Sequence, residues 1–306
     1  MIRVGITGAA GYIGSGLCSE LQKEYDVIPI DNFSNGQIQK IHGMKIIKAD
    51  IRERRELSPL LDADVIIHLA AISDIGMCQQ NRVLAFEVNV IGTQNIAFIC
   101  YQKGIPLIFA SSMAVFGHTE YTPVDEEHPR NPPTFYGLTK VLGERTIAVF
   151  SKGNFPSYVL IKSNVYGVHQ VEGVTIKKET VINRFVEKAL KNEDITVYEP
   201  GMQSKNFLHV ADAVAVYRRA VEKIVDEKEK ETEFFCVGGS ESITILELGQ
   251  LIEGLARRRG YHPSVVMVEN PRKESPTHFS VAVSKIQREL QFSPRYTLEK
   301  GITEMF

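Results

Sequence analysis

Apolar residues in this chain come in short runs, and longer mixed stretches with a helical repeat separate them. Ile2–Thr7, Val27–Ile30, Lys45–Lys48, Val65–Leu69, Leu107–Ala110 and Tyr158–Ile161 read as strands. Between them, Ser15–Gln22, Arg52–Leu61, Leu84–Tyr101 and Tyr136–Phe150 read as helices. Strands separated by helices call for crossover connections and a parallel sheet. Val65-Ile-Ile-His-Leu is apolar nearly throughout, as a strand covered on both faces must be. The expected fold class is therefore α/β, a doubly wound parallel sheet formed by residues 1–165. Regularity falls after about residue 165. Helices near Glu179–Lys191, Ala211–Val225, Ile245–Arg258 and Val283–Leu290 surround a strand at Ile195–Tyr198. Phe234–Val237 is placed to return to the sheet. Residues 166–306 are expected to form a smaller α/β C-terminal lobe, with segments crossing back.

Composition narrows the class. The 306 residues carry a formal net charge of −2, so no basic surface for nucleic acid is expected. The four cysteines are far apart and lack paired-ligand spacing, so neither a zinc site nor a disulfide framework follows. The N-terminus opens directly on a strand, and no apolar run near 18 residues is read. The expectation is a cytoplasmic chain with no membrane partner. Asp226–Glu233 is a charge run, expected to be a solvated helix end or loop.

The first chemistry appears at the first strand. Gly8-Ala-Ala-Gly11-Tyr12-Ile13-Gly14 joins it to the first helix, and the second strand ends on Asp31. Gly8 permits a sharp turn, Gly11 lets backbone approach a pyrophosphate, and Gly14 allows close helix packing. The helix N-terminus then offers free N–H groups to phosphate oxygens. Asp31 stands where a carboxylate accepts hydrogen bonds from ribose hydroxyls, and it repels a 2′-phosphate. This pattern is that of a Rossmann dinucleotide site, with NAD rather than NADP as cofactor.

The second chemistry lies in Tyr136-Gly-Leu-Thr-Lys140. Positions i and i+4 share a helix face, which points the phenol and the ammonium the same way. A nearby ammonium and a cationic nicotinamide are expected to lower the phenol pKa toward that of a usable base. Ser111 and Ser112 end the strand beginning at Leu107, at the sheet edge where doubly wound folds bind ligands. A hydroxyl there can hold a substrate oxygen against the tyrosine.

With these residues in place, the chain resembles the extended short-chain dehydrogenase/reductases of the nucleotide-sugar epimerase and dehydratase group, the UDP-glucose 4-epimerase-like proteins most of all. The likeness runs nearly end to end. It rests on the glycine loop, Asp31-Asn32, Asp50-Ile51, His68-Leu69-Ala70-Ala71, Asn89-Val-Ile-Gly-Thr93 and Ser111-Ser112-Met-Ala-Val-Phe-Gly117. Pro133-Thr-Phe-Tyr136-Gly-Leu-Thr-Lys140, Asn164-Val-Tyr-Gly167 and Phe207-Leu-His209-Val-Ala-Asp212 complete it. The resemblance implies a cofactor site of Gly8, Gly11, Tyr12, Ile13, Gly14, Asp31, Asn32, Asp50, Ile51, Leu69, Ala70, Ala71, Asn89, Ser111, Tyr136 and Lys140. It makes Ser112, Tyr136 and Lys140 catalytic, with Tyr136 the base and Lys140 its tuner. Substrate contacts fall to Ser112, Asn164, Lys205 and Arg272. His68 reads as a satisfied core histidine.

The resemblance also separates chemistries. Related dehydratases carry an Asp-Glu pair after the strand-end Ser/Thr, and decarboxylases use a Glu there. This chain has Met113 and Ala114, which transfer no protons. What the family pattern then implies is 4-epimerisation of a nucleotide-diphosphate sugar, probed first with UDP-sugars, through a transient 4-keto sugar. A dehydrogenase or reductase releasing its keto product, and a silent NAD-binding regulatory protein, are the competing readings. Lys205 replaces an arginine of the pattern, and Ile161 replaces another. Leu84–Tyr101 is apolar nearly all round, so it is expected to bury a second face in a homodimer.

Overall fold

The computed structural model describes residues 1–36, 38–270 and 278–306. Seven strands form one sheet: β1 (Arg3–Thr7), β2 (Asp26–Asp31), β3 (Ile47–Lys48), β4 (Val65–His68), β5 (Leu107–Ser112), β6 (Ser157–Lys162) and β7 (Thr232–Val237). Their spatial order is β7-β6-β5-β4-β1-β2-β3, and every neighbouring pair is parallel. The order reverses between β1 and β4, which opens a crevice at the carboxyl ends of the strands. This is the expected Rossmann-type doubly wound sheet. The segment Phe234–Val237 does return to it, inside β7 and beside β6.

Alternation along the strands creates two cores. Val65 and Ile67, Ile108 and Ala110, and Tyr158 and Leu160 join one apolar cluster. Ile66, Leu107 and Phe109, and Val159 and Ile161 join the other. The period of two thus buries both faces. The helices that cover them are α1 (Tyr12–Leu21), α2 (Arg82–Lys103), α3 (Phe135–Ser151), α4 (Val181–Leu190), α5 (Val210–Ile224) and α6 (Ile245–Arg258). Helices α1 and α5 share the first core, whereas α2 and α3 contribute to the second. Helix α5 therefore lies against the sheet although it comes from the second half of the chain.

A third core is built by α4, α6, Ile195–Tyr198 and Val265–Val268, with Tyr166, Phe207, Leu298 and Ile302. Asn164–Tyr166, Ser204–His209 and Ser242–Thr244 form a three-stranded sheet beside it. Val168–Val171 and Val174–Lys177 pair as a hairpin. Its turn residues Glu172 and Gly173 both have positive φ, 52° and 75°, the geometry that two-residue hairpin turns favour.

Three elements depart from the expectation. The Arg52–Leu61 helix is a 3-10 helix over Arg54–Asp62. Pro59 inside it has no N–H to continue an α-helical ladder. The Lys45–Lys48 strand is split: Met44–Lys45 pairs with Lys40–Ile41, and Ile47–Lys48 joins the sheet. Finally, α2 corrects the reading that no apolar run approaches 18 residues. It spans 22 residues with a mean hydropathy of 1.5 over its most apolar window, long and apolar enough to cross a membrane by length and composition. Its Ile96, Ala97, Ile99 and Cys100 are instead buried in the second core.

Candidate active site

The loop between β1 and α1 is shaped by backbone contact. Gly8 has φ +71°, and a Cβ there would stand 2.8 Å from the Ala70 nitrogen. A Cβ on Gly14 would lie 2.0 Å from the Gly8 carbonyl oxygen, so the first turn of α1 rests on the loop itself. Gly11, the N-cap, carries no side-chain cap. The first N–H groups of α1, at Tyr12, Ile13 and Gly14, are thus left for an incoming anion, and the positive end of the helix dipole adds to them. A dinucleotide pyrophosphate fits this cradle.

Asp31 stands at the end of β2, half-buried. It accepts hydrogen bonds from the Ala10 N–H (2.9 Å) and the Phe33 N–H (2.7 Å). Burial raises its pKa and these two bonds oppose the rise. Asn32 donates to Asp50 at 3.1 Å, while Arg52 donates to Asp50 at 2.8 Å and holds its carboxyl down at about 2. Leu69, Ala70 and Ala71 follow β4, partly exposed across from the glycine loop.

Several expected cofactor contacts are spent inside the protein. Asn89 sits in a π-helical turn, Glu87–Gly92, within α2. Its amide donates to the Ile72 carbonyl and to Thr139 Oγ1, both at 3.0 Å, and its oxygen accepts from the Ile72 N–H at 2.8 Å. It is 1% exposed, so its side chain braces the wall of the cleft. The Ser111 side chain is likewise engaged internally. Alternation on β5 sends its hydroxyl toward α3, where it donates to Glu144, and it is fully buried. The Tyr12 hydroxyl donates to the Gly167 carbonyl at 2.8 Å, which ties the glycine loop to the Asn164–Gly167 segment. The Ile51 side chain is buried in the second core against Gly92.

Ser112, one residue on, takes the cleft side and stays partly exposed. It caps the short 3-10 turn Met113–Val115, accepting from the Ala114 N–H at 3.3 Å, and it also hydrogen-bonds the Tyr136 phenol. Tyr136 lies in the first turn of α3, whose N-cap Thr134 accepts from the Gly137 N–H. Lys140 follows one turn later, 3% exposed, with its ammonium 6.0 Å from the Tyr136 ring centre. Beyond Phe109, β5 has no partner on its β4 side, and Lys140 donates to the free Ala110 carbonyl at 2.8 Å. Sequence spacing therefore brings Ser112, Tyr136 and Lys140 together as expected.

The electrostatics are less simple. Burial pushes the Tyr136 phenol up to about 12, against the lowering expected of Lys140, and only the Ser112 hydrogen bond opposes it. Burial also lowers the Lys140 ammonium to about 8, with Glu144 opposing. Without a ligand the pair is thus a neutral phenol beside a readily deprotonated amine.

His68 is the core residue it was read to be. Nδ1 lies 2.7 Å from Thr7 Oγ1, and Nε2 lies 3.0 Å from Thr93 Oγ1. Thr93 donates onward to the Asn89 carbonyl, so it accepts from Nε2–H, and Thr7 donates to Nδ1. Burial drives the imidazole pKa down to about 3, which keeps it neutral.

Asn164 and Lys205 are exposed on neighbouring strands of the three-stranded sheet. Arg272 lies outside the described residues. Sequence reasoning missed Glu144, which stands at i+8 from Tyr136 and i+4 from Lys140. It is 2% exposed, accepts from Ser111, and pairs with Arg130 at 3.4 Å. Its spacing along α3 was the available signal. Lys162 was also missed.

The sequence pattern of the NAD dependent epimerase/dehydratase family matches residues 4–236. The chain is 32% identical to a putative UDP-glucose 4-epimerase of Methanocaldococcus jannaschii, over 97% of this chain and 95% of that protein. It is 30% identical to a UDP-N-acetyl-alpha-D-glucosaminuronate decarboxylase of Bacillus cytotoxicus, over 98% and 95%. Among solved structures, the UDP-glucuronic acid 4-epimerase of Bacillus cereus superposes with a TM-score of 0.83 at 26% identity, covering 98% of this chain and 96% of that one. The chain belongs to the NAD dependent epimerase/dehydratase family.

Proposed function

We propose that this chain is an NAD-dependent nucleotide-sugar 4-epimerase, with UDP-glucose and UDP-galactose as the parent substrate pair. One observation carries the reading. Ser112, Tyr136 and Lys140 converge at the end of β5, while Met113 and Ala114, which follow Ser112, bring no second acid or base. Ala114 instead packs with Tyr136 and Cys78 in a small apolar cluster. Dehydration and decarboxylation are expected to need a carboxyl group at these positions.

When bound, the oxidised nicotinamide supplies a hydride acceptor and a positive charge near the phenol. The protein does the rest. Ser112 holds the C4 oxygen of the sugar by a hydrogen bond. Tyr136, ionised to the phenolate by the positive charges that would flank it once the cofactor is bound, takes the C4 hydroxyl proton and later returns it. Lys140, locked on the Ala110 carbonyl, fixes the charge beside the phenol. Asn164 and Lys205 hold the diphosphate, so the keto sugar can turn over without leaving. We further infer a homodimer. Val83, Phe86, Ile91 and Tyr101 of α2 and Leu138 and Val149 of α3 are exposed apolar side chains on adjoining helices.

The test is incubation of the purified protein with UDP-glucose and, separately, UDP-galactose. Both reactions are expected to reach the same mixture of C4 epimers with no net build-up of NADH. A keto sugar accumulating with NADH would instead establish the dehydrogenase reading. Loss of carbon dioxide from a uronic acid would establish a decarboxylase.

A further inference from the structure

Lys162 is a buried lysine that the reaction above leaves unused. It ends β6 as the direct neighbour of Ser112, and it is 8% exposed. Its ammonium donates to the Ser111 carbonyl at 2.9 Å, while Lys140 donates to the preceding carbonyl, Ala110, at 2.8 Å. Two ammonium groups thus grip consecutive peptides of the strand end that carries Ser112. A third, Lys178, follows the 168–177 hairpin and reaches across to Ser73 Oγ at 3.1 Å, just past β4.

These three charges act on one another. Burial first, then Lys140 and Lys178, push the Lys162 ammonium well below its ordinary pKa. Burial lowers Lys178 as well, with Asp74 opposing. The carboxylates within reach of this cluster are Asp74, beside Lys178, and Glu144, beside Lys140. Glu144 is already held by Ser111 and Arg130. Lys162 has no carboxylate of its own among the described residues.

A second observation points to the same place. The Tyr217 hydroxyl of α5 is fully buried and has no hydrogen-bond partner among the described residues. Its ring lies 5.8 Å from the Lys162 ammonium. Buried hydroxyls are nearly always bonded, and gathered cations are costly without an anion. A hydrogen-bond-accepting anion beside Ser112 relieves both.

The position of Lys162 selects which anion. It flanks the hydroxyl assigned to the reacting carbon, whereas the residues assigned to the diphosphate, Asn164 and Lys205, lie exposed on the three-stranded sheet. In a hexuronic acid the carboxylate sits on the carbon next to C4. We infer that Lys162, with Lys178 across the cleft and Tyr217 beneath, seats a sugar carboxylate, so that the site takes a nucleotide-linked hexuronic acid in preference to neutral UDP-glucose. This rests on the nucleotide-sugar reading and narrows it.

Calorimetric titration of the purified protein with UDP-glucuronic acid, UDP-glucose and UDP tests the seat without needing turnover. The wild-type protein is expected to bind the uronic acid about tenfold or more tightly than UDP-glucose, the size of one charged hydrogen bond. Lys162→Met should erase most of that preference while leaving UDP-glucose and UDP within about twofold, with folding of the variant confirmed by a thermal melt. Lys178→Met, a change at a more exposed site, should reduce the preference in the same direction, and Lys162→Arg should keep it. No preference in the wild type overturns the inference. An equal loss for all three ligands in Lys162→Met also overturns it, because the cation then serves the diphosphate. If none of the three binds, the nucleotide-sugar reading fails and the seat falls with it, an outcome distinct from selective failure with the uronic acid.

Discussion

The strand end at Ser112 and the sheet bearing Asn164 and Lys205 do different work with different materials. Around Ser112, polar groups are buried and almost fully committed. Lys140 is bound to Ala110, Lys162 to Ser111, Ser111 to Glu144, and Asn89 to Ile72 and Thr139. Each bond is local, dry and determined by register. On the three-stranded sheet, Asn164 and Lys205 are exposed, and the Asn164 amide donates to the Asn206 carbonyl at a long 3.4 Å. A buried, satisfied network fixes geometry to the fraction of an ångström that proton transfer needs. Exposed side chains adapt to a ligand and contribute little singly. On the proposed function, the reacting atoms are therefore positioned at β5, and hold on the rest of the substrate is spread over the second lobe.

The sharpest break of this contrast is Tyr136→Phe. The ring stays in its buried slot and only the hydroxyl is lost. Turnover between C4 epimers should fall by about 10²–10⁴-fold, the usual worth of a positioned acid–base group, with little change in melting temperature. Steady-state rates beside a thermal melt decide it. A mutant with near-normal turnover would detach the phenol from the chemistry.

Lys140 offers a test through pH. Its native pKa is about 8 against an ordinary 10.5, because burial disfavours its charge. Below about pH 8 both native and unfolded states carry the proton, so the whole cost of the buried charge is present. Between about 8 and 10.5 the unfolded state holds more protons, and stability rises with pH by up to about 3 kcal/mol. Lys140→Met removes this rise and leaves a pH-independent loss, since the Ala110 carbonyl loses its donor. Urea unfolding of both proteins across that window measures the difference. Parallel curves would mean that the ammonium is not desolvated.

Gly14→Ala probes the cradle. The new methyl group would meet the Gly8 oxygen at 2.0 Å, and that oxygen belongs to backbone that cannot swing aside. Overpacking of this kind costs about 1–3 kcal/mol, read here as weakened NAD binding and a lower melting temperature. Unaltered affinity in a titration would show that the loop is not held by that contact.

These residues also mark where the sequence could be read. The glycine loop, Asp31 and the Tyr136–Lys140 spacing are local patterns, and their geometry follows from strand and helix periods. Ser111 and Ser112 are equivalent in a sequence until the register of β5 sends one toward α3 and the other to the cleft. Asn89 looks like a ligand contact until the π-helical turn aims it at Ile72 and Thr139. Glu144 was visible at i+8 on α3, but nothing local marked it as buried. Lys162 is one lysine among many, and only the pairing of β6 with β5 gives it a neighbour of chemical interest. In the second lobe, strands of three or four residues are too short to show a period, so the hairpin at 168–177 and the strand Val265–Val268 were not foreseen.

Lys205→Ala should have the smallest effect, and that smallness is informative. Lys205 is exposed on Ser204–His209, and Asn206 beside it is buried and bonded to Gly239 and Glu241. The fold of that strand therefore rests on Asn206. A solvated cation against a phosphate is screened by water and salt, so its loss should weaken nucleotide-sugar binding by only about two- to fivefold. The effect should shrink further at high ionic strength. Binding isotherms at two salt concentrations, for the wild type and the mutant, provide the measurement. A loss of 100-fold or more would mean that the bound substrate buries Lys205, and the second lobe would then grip as rigidly as the strand end does.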